Sequence, residues 1–174
     1  ARAPSTDLPF SFDYNGQASS EFIQQWEKSW SDDVVGPEIT KKVLTLTDPQ
    51  SGLVVKCDVT VYEKLPVVEW VLTLRNDGTN QTHLIENVLP LDCGFERDNE
   101  DEFVLHHSNG SPHSLVRMSD ETDYAPRETV LPPQSHKKLN SLIGLPASND
   151  LPFFNLEWNN RGAVFAIGWP GQWQ

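Results

Sequence analysis

Cysteine is scarce in this chain of 174 residues, which has only Cys57 and Cys93. Two thiols are too few for a disulfide framework, and they lack the paired spacing of a zinc site. Cys57 falls in an alternating apolar pattern, as a buried free thiol would; a single bridge to Cys93 stays open. Positive charge is also sparse, with 13 Lys and Arg against 25 Asp and Glu and a net charge of −12. That balance argues against nucleic acid and anionic membranes as partners. No apolar run reaches membrane length, and no charged-then-apolar signal segment opens the chain. The start, Ala1-Arg2-Ala3-Pro4, has no initiating Met and is what a processed or trimmed chain would show. There is no G-x-S-x-G elbow, Walker loop, dinucleotide fingerprint or H-E-x-x-H motif, and no metal or cofactor is implied.

Alternation of apolar and polar residues is abundant. Phe10, Phe12 and Tyr14 alternate up to Asn15-Gly16, a strong turn dipeptide. Between Ser19 and Trp30 the residues Phe22, Ile23, Trp26 and Trp30 fall at helical spacing, with Ser19 or Ser20 as a cap. A short helical turn running into a strand fits that segment equally well. The clearest period-two patterns are Ile39 to Thr47, Leu53 to Tyr62 and Val67 to Leu74, joined by turn-forming residues, so consecutive antiparallel strands are expected. Further strands are expected over Thr82 to Leu91 and Phe103 to His107. From Ser108 to Asp150 only Ser114 to Met118 and Leu139 to Ile143 read as short strand candidates in an otherwise irregular connection.

The last stretch has a pattern of its own. Phe154, Leu156 and Trp158 share one face of a strand, with Phe153, Asn155 and Glu157 on the other. Asn159-Asn160-Arg161-Gly162 then supplies residues that tolerate positive φ, and Ala163 to Ile167 returns as the second arm of a hairpin. Beyond it, Gly168-Trp169-Pro170-Gly171-Gln172-Trp173 places two indoles on a short, proline-stiffened loop. Such indoles suit the apolar face of a sugar ring. Residue chemistry alone favours the plainer reading, in which Trp169 and Trp173 plug the end of a β-core.

Charged clusters offer little more. Glu96, Asp98, Glu100, Asp101 and Glu102 invite a calcium reading, but the glycine and distal glutamate of an EF-hand loop are missing, so a solvated acidic loop is expected. His106 and His107 are adjacent and point to opposite faces of a strand, which prevents them from gripping one metal together. The triplets at Asn80 and Asn109 match a glycosylation sequon, a match that arises often by chance.

The segment from Phe153 to Trp173, with its G-W-P-G-Q-W run, resembles the end of the N-terminal β-domain of α-galactosidase (melibiase) type glycoside hydrolases of clan D. Glu69-Trp70-Val71-Leu72 and Asn87-Val88-Leu89-Pro90-Leu91-Asp92 are similar to two strands of the same domain, so the resemblance spans roughly Pro9 to Trp173. The turn Ile143 to Asp150 departs from that family's more glycine-rich version.

The residues imply an all-β, antiparallel β-sandwich occupying 1–174 as a single domain. The resemblance implies a galactose-mutarotase-like supersandwich that precedes a catalytic (β/α)8 barrel, its intramolecular partner. It implies that both catalytic aspartates lie in that barrel and none in this chain. The expected role is to brace the barrel, with Trp169 first and Trp173 second as candidates to touch an α-galactoside class sugar, and with an apolar patch near the C-terminal hairpin. Two other readings stand beside it. One is a free-standing carbohydrate-binding module. The other is a mutarotase-type enzyme using His106 or His107 as acid and Glu157 as base.

Overall fold

The computed structural model describes residues 8–97, 102–111 and 123–174. Strands make up 49% and helix 5% of the structure, so the class is all-β, as the alternating patterns require. The chain divides into two compact units, Ala1–Gly94 and Phe95–Gln174. Among the described residues no helix is long and apolar enough to cross a membrane.

In the first unit, β1 (Ser11–Tyr14) turns through Asn15 and Gly16 into β2 (Gln17–Ala18). Both turn residues hold positive φ, 53° and 74°, the conformation that makes Asn-Gly a hairpin former. A single helical turn, α1 (Ser19–Phe22), and a 3-10 turn, Ile23–Gln25, lead into β3 (Glu27–Gly36). Helix and strand thus share the ambiguous segment. Ser19 does not cap α1, since Ala18 occupies that position. Its hydroxyl instead accepts the Phe12 N–H across the hairpin at 3.2 Å.

The strands β4 (Ile39–Thr47), β5 (Leu53–Tyr62) and β6 (Val67–Asn76) follow, and with β3 they form one antiparallel sheet in the order β3-β4-β5-β6. A second sheet has the order β2-β1-β7, with β7 at Ile85–Leu89. This strand is shorter than the pattern over Thr82 to Leu91 suggests, and its alternation changes phase midway. Ser11 faces Leu89 but Asp13 faces Glu86, which leaves one extra residue in β7. Asn87 takes a φ of 48° there and its amide donates to Asp13 Oδ2 at 2.6 Å, as a bulge residue that tolerates the left-handed region can do.

The two sheets close on one core. Leu8, Phe10, Phe12 and Tyr14 meet Leu44, Leu46, Leu53, Val55 and Cys57, with Ile23 and Trp26 filling the end. Phe12, Tyr14, Phe22 and Trp26 pack ring to ring at centroid separations of 5.3–6.1 Å. Burying each large side chain contributes roughly 1.5–3 kcal/mol, so this aromatic knot is the main local source of cohesion. Both cysteines are free thiols. Burial, reinforced by the Asp58 charge, pushes the Cys57 thiol up to about 11, which keeps it an inert, protonated core residue.

In the second unit a four-stranded antiparallel sheet has the order β11-β10-β8-β9. Its strands are β8 (Phe103–Ser108), β9 (Pro126–Leu131), β10 (Phe153–Trp158) and β11 (Arg161–Ala166). The C-terminal hairpin turns at Asn159 and Asn160, both at positive φ. Strand β9 was not apparent from sequence, because it opens on Pro126 and its Arg127-Glu128 pair hides the alternation. The run Leu139 to Ile143 is not a strand: Asn140 and Ser141 make isolated bonds to Asp150 and Trp173 instead of a ladder. Ser114 to Met118 lies outside the described residues, as do Asp98, Glu100 and Asp101 of the acidic cluster. Of that cluster, Glu102 pairs with Arg97 at 2.8 Å.

Candidate functional site

Register decides which side chains of the second unit share a face. His106 stands opposite Asn155 on one side and Glu128 on the other, and Asn155 stands opposite Val164. Since directly opposed residues point the same way, one face carries His106, Ser108, Pro126, Glu128, Phe153, Asn155, Glu157 and Val164. The opposite face carries the apolar set Leu105, Leu156, Trp158 and Phe165. There Trp158 meets Phe95 and Phe103 at 5.2 and 5.7 Å between centroids, and Phe154 stacks on Phe165 at 5.3 Å.

The first face holds a trough of about 600 Å³ lined by His106, Glu128, Asn155, Phe153 and Val164, among others. His106 lies between two carboxylates. Its Nε2 is 2.7 Å from Glu157 Oε2 and its Nδ1 is 3.4 Å from Glu128 Oε1. Either ring nitrogen can donate to the carboxylate beside it when it carries a hydrogen, and the contact to Glu157 is the shorter of the two. The ring thus lies between two carboxylate acceptors. Phe153 and Val164 are exposed next to this polar group, giving an apolar floor with acceptors at one end. Glu128 and Asn155 supply polar groups to the trough, and Phe153 and Val164 its apolar surface.

His107 is turned the other way and is only 6% exposed. Its Nε2 lies 3.0 Å from Thr129 Oγ1. Burial, helped by the charges of Lys137 and Arg127 and opposed by Asp150, holds the ring below its ordinary value of 6.5. Of the two histidines, then, His106 is the one the fold brings to Glu157. Residue type and local pattern do not mark Glu128 and Asn155 in the sequence. Glu128 sits on the strand hidden by Pro126, and Asn155 looks like an ordinary polar strand residue until register places it beside His106. Among the described residues no group of three His, Cys, Asp or Glu side chains is placed to hold a metal ion. The two carboxylates at His106 approach opposite edges of the ring.

The C-terminal loop separates the two indoles. Trp169 is 62% exposed, and its Nε1 edge lies so close to Gly171 that a Cβ at that position would crowd it. Trp173 is 8% exposed. Its Nε1 donates to the Pro146 carbonyl at 2.6 Å, its backbone N–H donates to Ser141 Oγ at 2.9 Å and its carbonyl accepts from the Ser141 N–H. Trp173 locks the loop to the segment around Ser141, and Trp169 projects from the loop so fixed. No protein-family model, curated protein or solved structure matches the chain.

Proposed function

We propose that the chain is the non-catalytic N-terminal β-domain of an α-galactosidase-like glycoside hydrolase, bracing a (β/α)8 barrel and lending the Trp169 indole to the rim of its sugar pocket. The observation that supports this reading most is the apolar surface of the C-terminal hairpin and loop. Phe153, Val164 and Trp169 are all exposed, and they belong to the segment with the strongest family resemblance. A bracing domain needs such a surface, because the barrel is what would cover it. Assays on the protein carrying the barrel test the reading. Trp169→Ala should raise KM for an aryl α-galactoside several-fold with little change in kcat, the signature of lost ground-state binding. An unchanged KM would remove Trp169 from the pocket.

A free-standing carbohydrate-binding module is the second reading, favoured by His106, Glu128, Asn155 and Phe153 around one trough. The two readings part in a titration of this chain with galactose and its α-glycosides, followed by tryptophan fluorescence. A module gives a saturable change that Phe153→Ala abolishes; a bracing domain gives none.

A further inference from the structure

The first unit leaves one long sheet edge open. In the order β3-β4-β5-β6 the two outer strands are β3 and β6. The β3 edge is guarded in the usual ways, with Glu27, Lys28 and Asp32 in its sequence and a register irregularity between Val34 and Gly36. The β6 edge is ten residues long and has no proline, no lysine and no register shift against β5. Among the described residues no backbone hydrogen bond reaches its outer side. Val67, Val68 and Val71 on it are exposed, Val71 at 65%. Unpaired N–H and C=O groups along such an edge are a template for another strand.

We propose that β6 pairs antiparallel with β6 of a second copy of this chain, joining the two four-stranded sheets into one of eight about a two-fold axis at Leu72. The register follows from the strand's own residues. A continuous sheet requires partners to share a face, so the axis must pass through a residue and not between two. Centred on Val71, Arg75 would face Val67; centred on Thr73, Glu69 would face Asp77. Centred on Leu72, Glu69 faces Arg75 of the second copy, twice by symmetry, and Val71 faces Thr73 beside it. On the core side the same register sets Trp70 against Leu74 and Leu72 against Leu72. All three are only partly buried against the core in one copy, so pairing completes their cover. Both charged groups are already oriented: Asp77 accepts from the Arg75 guanidinium at 2.5 Å, and Glu69 accepts from the Tyr62 hydroxyl at 3.0 Å.

This inference does not depend on any carbohydrate role, and sedimentation velocity across a concentration series tests it. The chain should show a reversible monomer–dimer equilibrium. Glu69→Arg, which opposes Arg75 with a like charge at both ends, should weaken the dimer roughly tenfold or more, and Glu69→Arg with Arg75→Glu should restore it. Val71→Lys, solvent-facing in the monomer, should weaken it without touching the core, and far-ultraviolet circular dichroism checks that each variant is folded. A chain that stays monomeric at every concentration overturns the proposal. So does a dimer whose affinity is unmoved by Glu69→Arg and Val71→Lys, or one that the double exchange fails to rescue.

Discussion

At the scale of single residues, the two C-terminal tryptophans should behave differently. Trp173 is buried and bonded through its indole and its backbone, so Trp173→Ala should cost about 3–5 kcal/mol, the range for a large aromatic lost from a packed site. Trp169→Ala, at an exposed position, should stay within about 0.5 kcal/mol of the parent. Urea unfolding of the two variants checks this, and equal losses would mean that Trp169 also packs. His107 gives a pH signature. Its folded value is depressed by burial, so the unfolded chain takes up this proton at higher pH than the folded protein. The neutral ring therefore contributes stability above the ordinary imidazole value, and that contribution is lost as pH falls through 6.5 toward the depressed folded value. His107→Gln should flatten the loss of stability between about pH 7.5 and 5.5. An unchanged slope would assign the acid sensitivity elsewhere.

At the scale of elements, β1 is the strand on which the first core depends. Phe12 is 1% exposed and its ring meets both Phe22 and Trp26, so Phe12→Ala should cost about 3–5 kcal/mol. Denaturant titration reads the loss, and a cost below about 1 kcal/mol would show that the knot relaxes around the gap. The same strand shows why parts of the fold were legible in the sequence. Where burial alternates along a strand, as from Val43 to Thr47 in β4, period-two alternation survives in the residues; β1 keeps it by residue type, with the polar Ser11 itself buried between Phe10 and Phe12, and turn chemistry such as Asn15-Gly16 marks its end. Where a strand is itself mostly exposed and starts on proline, as β9 does, burial imposes little alternation and the pattern fades. A bulge has the same effect locally, since Asn87 shifts the phase of β7 without changing its composition. The site was legible to a similar extent. His106 and Glu157 were candidates by residue type, but Glu128 and Asn155 join them only through cross-strand register, which no local pattern encodes.

At the scale of the whole molecule, composition excludes more than it identifies. A net charge of −12 sets the chain against polyanionic partners, while the exposed hairpin and the trough beside it are compatible both with the proposed bracing role and with the proposed sugar-binding module. A β-sandwich serves many functions, so the fold does not choose between these. The choice rests on what covers Phe153, Val164 and Trp169. The most direct measurement is to read the source DNA downstream of the Gln174 codon and translate it in frame. The expected result is a continuation of barrel length with aspartates at strand ends. A stop codon at or near Gln174 would contradict it, and would leave the sugar titration of the trough as the decisive experiment.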